Sequence, residues 1–212
     1  MSTEQLIDEY ILEHISPEDE VLAELNHQTH LEDLHARMLS GHLQGQILKM
    51  LCGMIKPKRI LEIGAFTGYS AICFAQGTSD DCIIDTIEID DELETIIRSY
   101  LKKAGVEGRV NLHIGDALDV LPTLNHQYDM VFIDGDKREY SAYYNLVFDK
   151  VPSGGYILAD NILWGNKVIE PLAKNDLQTK GILDFNTLMK NDLRVETAIL
   201  PLRDGIFVVK KL

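Results

Sequence analysis

The chain has 212 residues, 45% of them hydrophobic and 25% charged, enough for one α/β domain with a full core and ordinary for a globular protein. No apolar stretch is long enough to span a bilayer, and the acidic opening MSTEQLIDEYILEHISPEDE lacks a basic-then-apolar signal pattern, so a cytoplasmic location and no membrane partner are expected. The net charge of −14, with only a small basic cluster at Lys56, Lys58 and Arg59, disfavours nucleic acid, whose binding leans on neutralising phosphates, and favours a small molecule.

Helices are expected first, over residues 3–14 and 17–37. Ser16 reads as the N-cap of the second and Pro17 as its first helical position. Ser40-Gly41 breaks that helix, and another carries residues 46–55. From residue 58 the pattern alternates. Strands are expected at 59–63, 82–88, 110–114, 128–133 and 155–159, with helices at 69–76, 92–104, 117–121 and 140–150 between them. Strict alternation argues a parallel, doubly wound sheet with helices on both faces. The chain then ends on strands 195–200 and 206–209, joined by a hairpin turn at Asp204-Gly205. With no linker, repeat or low-complexity segment, one domain is expected, with residues 1–56 serving as lid or dimer helices and 57–212 as the core. Cys52, Cys73 and Cys82, odd in number and without CxxC spacing, read as reduced core thiols.

Four strings carry the chemistry: LEIGAFTGYS (61–70), TIEID (86–90), FIDGDK (132–137) and LADN (158–161). Each is an apolar run ending in acidic or glycine residues, which places those residues at the carboxyl edge where open α/β sheets bind ligands. In the first, Gly64 would let the backbone approach a ligand and Gly68 would permit close packing where a helix begins. The dinucleotide fingerprint GxGxxG is absent, because Phe66 stands at its second glycine. Glu62 before the glycines would repel a phosphate but suits a cation, and S-adenosylmethionine (SAM) carries a sulfonium and an ammonium. Glu88 could accept both ribose hydroxyls, and Gly115-Asp116-Ala117 would meet the adenine edge. The competing reading makes Glu62 and Glu88 mere strand caps at a solvated edge.

Asp134 follows the fourth strand and Asp160-Asn161 the fifth. Two carboxylates and an amide make an all-oxygen set suited to Mg²⁺, Mn²⁺ or Ca²⁺ and not to Zn²⁺, although Asp160-Asn161 equally reads as an Asx turn. A cation beside Lys137 would favour its neutral amine and make it a proton acceptor; alone, it would be a solvated surface lysine. Trp164 reads as a pocket wall for a flat ligand or as core. His27 and His30, three apart, read more readily as a polar helix face than as a metal pair.

These strings, together with M-x-x-G-x-x-x-G-Q over residues 38–46, FIDGDKREY and LADNILW, resemble the cation-dependent O-methyltransferases that include the catechol and caffeoyl-CoA enzymes, and most of all their small bacterial members. The resemblance covers residue 38 to the end. It implies a Rossmann-like SAM-dependent methyltransferase fold with a seven-stranded, mostly parallel sheet. It places Ser40, Glu62, Gly64, Ala65 and Ser70 around the methionine part of SAM, Glu88 on the ribose and Ala117 at the adenine. Asp134, Asp160 and Asn161 become the ligands of a divalent cation, most simply Mg²⁺. Asp134 also borders the cofactor and the chemistry, Asp136 is a cofactor-side acid, and Lys137 is the catalytic base. A vicinal aromatic diol is the acceptor that a chelating cation suits best, and a homodimer is the family's common state. Gly165 stands where plant enzymes place a substrate-contacting Asn, with Asn166 next to it, and Gly135 is too small to wall the substrate. The acidic N-terminus does not suit the phosphates of coenzyme A. A dinucleotide-dependent oxidoreductase, a SAM-binding protein with a regulatory role and a methyltransferase with a non-catechol acceptor are the alternatives.

Overall fold

The computed structural model describes residues 3–31 and 38–212. Seven strands form one sheet: β1 (Arg59–Ile63), β2 (Ile83–Glu88), β3 (Val110–Ile114), β4 (Met130–Ile133), β5 (Tyr156–Ala159), β6 (Val195–Leu200) and β7 (Ile206–Lys211). Their order is β3-β2-β1-β4-β5-β7-β6. β7 runs antiparallel to both neighbours, so the other six strands are parallel. The strand direction reverses at the turn closed by Gly205 N–H donating to Leu202 O at 2.8 Å, with Gly205 at φ 81. β1 and β4 at the sheet's centre are buried almost throughout, which explains their unbroken apolar runs, whereas the edge strand β6 is largely exposed.

Helices α1 (Thr3–His14), α2 (Glu20–Leu31), α3 (Gly41–Ile55), α4 (Tyr69–Gly77), α5 (Glu94–Lys103), α6 (Ala117–Val120), α7 (Tyr140–Phe148) and α8 (Leu177–Asn191) cover the sheet. One face buries Leu25 of α2, Leu48 and Cys52 of α3, Phe74 of α4 and Ile97 of α5 against Ile60 and Phe132. The other buries Tyr140 and Tyr144 of α7 and Ile182 and Phe185 of α8 against Leu61, Val131 and Phe207. Leu22 and Leu25 therefore belong to the core, while Leu6, Ile7 and Leu31 are exposed.

Two details depart from the sequence expectation. α2 begins at Glu20 and not after Ser16, because Asp19 Oδ1 accepts from the N–H groups of Val21 and Leu22, and Glu18 is drawn away to accept from Tyr69 Oη at 2.5 Å. The expected continuation of α2 to residue 37 lies outside the described residues. α8 was not expected at all; Asp176 caps it by accepting from Thr179 N–H, and Ile182, Phe185 and Met189 form its buried stripe. No described helix is long and apolar enough to cross a membrane.

Candidate active site

The carboxyl ends of β1 and β2 form one half of the site. Gly64 and Ala65 N–H groups both donate to Ile87 O, at 2.9 and 3.1 Å, which ties the glycine loop to β2. At Gly64 (φ 98) a Cβ would lie 2.4 Å from Asp134 O, so this glycine makes room for the end of β4 rather than for a ligand. Gly68 (φ 88) faces Ile97 of α5, as close helix packing requires. Glu62 is fully buried; Oε2 accepts from Thr86 Oγ1 at 2.5 Å, while Oε1 has no partner. Burial, only partly offset by the Thr86 and Ser70 hydroxyls nearby, pushes its carboxyl up to about 7. Such an acid calls for a cation. Glu88 uses Oε2 on Phe66 N–H at 2.6 Å and Oε1 on Asp90 N–H at 3.0 Å, so it pins the loop from below, and burial raises its pKa. Ser40, Ala65, Ser70 and Ala117 are buried near these strand ends or at helix starts. Asp116 caps α6 by accepting from Leu118 N–H at 2.8 Å.

The ends of β4 and β5 form the other half. These strands pair in register Ile133↔Ala159, so Asp134 and Asp160 are the next residues along neighbouring strands. Asp134 N–H donates to Ile63 O at 2.8 Å and Asp160 N–H to Ile133 O at 3.0 Å. Asp160 is 3% exposed. Its Oδ1 accepts from Asn161 N–H at 2.7 Å, and Asn161 adopts φ 57. This bond reaches the next residue and not the one two on, so it is not an Asx turn; it orders the carboxylate beside the amide without excluding a ligand role. Lys137, 7% exposed, donates through Nζ to Asp134 Oδ1 and to Tyr140 Oη, both at 2.7 Å. A solvated surface lysine is ruled out. Burial, then Asp160's charge working against the favourable pull of Lys137, leaves the Asp134 carboxyl pushed up to about 6; burial also raises Asp160. Of these two acids Lys137 is in contact with Asp134 alone, while Asp160 has neutral donors, Gln44 and Asn161 N–H, and feels the more distant charges of Lys137 and Arg203.

Several residues at this edge escaped sequence reasoning. Tyr140, fully buried, accepts from Lys137 and donates to Asp160 O at 3.0 Å. Gln44 of α3 donates through Nε2 to Asp160 Oδ2 at 2.6 Å, and Arg203 of the β6–β7 turn donates to Gln44 Oε1 at 3.2 Å. Gly181 of α8 lies so close to the turn Lys137–Glu139 that a Cβ would sit 2.3 Å from Lys137 O. A cation beside Asp204-Gly205 was a signal for Arg203; nothing in the spacing pairs Gln44 with Asp160, 116 positions away.

Other candidates land differently. Asp136 accepts from Arg138 N–H and guanidinium, is lowered chiefly by that pairing, and also bonds Gln178 of α8; no glycine-loop residue is among these partners. The place of a side chain at Gly135 is filled by Tyr143 and Ile63, within 3.2 Å of where its Cβ would be, so Gly135 leaves no gap over a substrate. The Trp164 ring stands 6.0 Å from Lys137 Nζ, and its buried indole N–H has no partner. Gly165 and Asn166 are exposed. His27 and His30 are exposed, and among the described residues no three His, Cys, Asp or Glu side chains converge as a metal group; the candidate set at Asp134 is two acids and an amide. Lys58 pairs with Asp81 and Arg59 with Asp85, which breaks up the basic cluster.

The family model described as O-methyltransferase matches residues 12–212. Caffeoyl-CoA O-methyltransferase of Stellaria longipes is 34% identical, over 97% of this chain and 90% of that protein. Among solved structures, an O-methyltransferase from Bacillus cereus in complex with SAH superposes with TM-score 0.91 at 29% identity, covering 98% of this chain and 97% of the other. O-methyltransferase TomG from Streptomyces achromogenes, involved in tomaymycin synthesis and in complex with SAM, gives TM-score 0.92 at 29% identity, covering 100% and 99%. With the hairpin-ended sheet and both halves of its carboxyl edge in place, the chain belongs to the O-methyltransferase family.

Proposed function

We propose that this O-methyltransferase uses SAM as methyl donor and a divalent cation, Mg²⁺ or Mn²⁺, to methylate one hydroxyl of a small aromatic vicinal diol. The observation that carries the reading is Lys137 Nζ at 2.7 Å from Asp134 Oδ1, at the edge where Asp134, Asp160 and Asn161 come together. The donor set fits a hard cation, being all oxygen, and burial raises both of its acids despite the charges of Lys137 and Arg203. On the other half, the unpartnered Glu62 Oε1 and the Glu88 carboxylate suit a cationic nucleoside. The SAM and SAH complexes of the neighbours support the same donor, and the caffeoyl-CoA relatives support a catechol-like acceptor.

Asp134, Asp160 and Asn161 would hold the cation, which when bound lowers the pKa of an acceptor hydroxyl. Bound SAM supplies an electrophilic methyl group. Everything else falls to the chain's own residues. Lys137, held by its N–H bonds to Asp134 and Tyr140, is the group placed to take the acceptor's proton. Tyr140, anchored on Asp160 O, sets the direction of that amine. Trp164 offers an aromatic face beside the amine. Positioning of this kind is worth about 7–11 kcal/mol in well-oriented systems.

The test is a screen of catechols and caffeoyl esters with SAM and Mg²⁺, read by release of S-adenosylhomocysteine. EDTA should stop it and Mg²⁺ or Mn²⁺ should restore it. Full-rate methylation by metal-free protein would make the oxygen set structural. Exposed Leu6, Ile7 and Tyr10 on α1, beside Met50 and Met54 on α3, support a homodimer, the commonest closed form. Sedimentation at micromolar concentration should show it. Three buried cysteines free of disulfides support a reducing, cytoplasmic location.

A further inference from the structure

We propose that Gln44 and Arg203 are positioning residues for Asp160, fixing the direction of its carboxylate toward the bound cation. The inference rests on the cation reading above and adds to it two residues from distant parts of the chain, α3 and the β6–β7 turn.

Chemistry fixes the order of the relay. Arg203 only donates, so it must face the amide oxygen of Gln44. An ionised carboxylate only accepts, so Asp160 must face the amide nitrogen. The observed contacts are Arg203 Nη1 to Gln44 Oε1 at 3.2 Å and Gln44 Nε2 to Asp160 Oδ2 at 2.6 Å. Turning the amide over would set donor against donor and acceptor against acceptor, so Arg203 locks the orientation Asp160 needs. Gln44 is 1% exposed, which shields its bond to Asp160 from water, whereas Arg203 approaches it from the exposed turn. The same Nη1 also donates to Leu39 O at 3.0 Å and to Ser40 O, so its two N–H bonds are shared among three acceptors, of which Gln44 Oε1 is the most distant. With Asn161 N–H on Oδ1 and Gln44 on Oδ2, each oxygen of Asp160 has one fixed donor, and its remaining lone pairs take set directions.

The backbone at Arg203 points the same way. Its φ is 49, in the left-handed region that favours glycine, so the turn keeps a long cationic residue where it is strained. The reach across to α3 is what that residue supplies and glycine would not.

A loosened Asp160 should matter more to some cations than to others. Mg²⁺ demands near-ideal octahedral geometry, whereas Ca²⁺ accepts irregular coordination. The ratio of Mg²⁺ to Ca²⁺ affinity therefore reads carboxylate geometry. Both ions carry the same charge, so a change in local charge cancels in the ratio. The experiment titrates the purified protein with Mn²⁺ by electron paramagnetic resonance, then displaces Mn²⁺ with Mg²⁺ and, separately, with Ca²⁺. Two variants are compared with the unaltered protein. Gln44→Met keeps the volume and deletes both hydrogen bonds. Arg203→Gly suits the left-handed backbone, so it should fold even if Gln44→Met does not. Gln44→Met should weaken Mn²⁺ about tenfold, the lower end of what lost support for a metal ligand costs, and lower the Mg²⁺/Ca²⁺ ratio at least threefold. Arg203→Gly should lower the ratio in the same direction by a smaller factor. An unchanged ratio in folded variants, with Mn²⁺ still bound, would overturn the positioning role alone. Failure of the unaltered protein to bind Mn²⁺ would overturn the cation reading and this inference with it.

Discussion

The two halves of the carboxyl edge differ in which groups answer their acids, hydroxyl and backbone groups on one and an amine and an amide on the other. On the β1–β2 side, Glu88 is answered by backbone N–H groups of its own and the adjacent loop, and Glu62 by the hydroxyl of the neighbouring strand. On the β4–β5 side, Lys137 answers Asp134 and Gln44 answers one oxygen of Asp160, with Tyr140 and Arg203 behind them, while Asn161 N–H holds the other oxygen of Asp160. Backbone donors hold a loop in shape and come with the fold. Side-chain donors are removable one at a time, and one of them can exchange a proton. Under the proposed function, the first half shapes a cradle and the second does the chemistry.

The largest break in that contrast should come from Lys137→Met. Loss of a general base lowers turnover by about 10²–10⁴-fold. SAH affinity should stay within about tenfold, or 1.4 kcal/mol, because nothing on the β1–β2 side leans on this amine. Steady-state kinetics on a catechol, with calorimetry for SAH, reads both. A comparable loss of SAH binding would mean that the halves are one site energetically.

Glu62 offers a test on the other half. Its carboxyl holds a proton up to about 7 in the folded chain, against 4.5 as the ordinary value. Between those values the folded state binds more protons than the unfolded state, so stability falls as pH rises through the window. The loss is about 3 kcal/mol at most. Glu62→Gln, which carries no charge, should escape it. Urea unfolding at intervals from pH 4.5 to 8 should show the unaltered protein losing stability relative to Glu62→Gln. Saturating SAM, by bringing a cation near, should shrink the difference. Parallel curves would remove Glu62 from the cofactor's electrostatics.

Glu88→Ala should weaken SAH by about 1.5–3 kcal/mol, the range for hydrogen bonds to a charged group. Part of that is indirect, since Phe66 N–H loses its acceptor and the loop its support. Calorimetry that finds unchanged affinity would leave Glu88 a strand cap.

Much of this edge was legible because parallel strands are buried on both faces and show as apolar runs, with polar residues where the run stops. Asp134, Asp160, Glu62 and Glu88 sit at such stops, and β1 and β3 fall on their expected residues. α8 was not legible. Its stripe of Ile182, Phe185 and Met189 is interrupted by Gly181 and set among Asn, Asp and Lys, which read as loop. The start of α2 was misplaced because Ser16 and Asp19 are both good caps, and only the pull of Tyr69 on Glu18 separates them. Long-range partners such as Gln44 and Arg203 leave no periodic trace, because a hydrogen bond across 159 positions obeys no local spacing.

The smallest expected effects come from two helical glycines, and they differ in sign. In an open helix, Gly→Ala gains up to about 1 kcal/mol from propensity and a less flexible unfolded chain. Gly53 of α3 is such a place; it is exposed, and the nearest atom to an added Cβ is Gly77 O at 3.9 Å. Gly53→Ala should raise stability by about 0.4–1 kcal/mol and leave turnover alone. At Gly181 the same methyl group meets Lys137 O at 2.3 Å and Arg138 Cα at 2.7 Å, both backbone, which cannot swing away as a side chain tip would. Overpacking costs about 1–3 kcal/mol, so the propensity gain is cancelled or reversed. The displacement also falls on the turn that aims Lys137 at Asp134. Gly181→Ala should therefore cost more in turnover than in stability, and thermal unfolding alongside catechol kinetics separates the two. If Gly181→Ala proves as stable and active as Gly53→Ala, α8 is only a cover over the sheet and does not set the aim of the lysine.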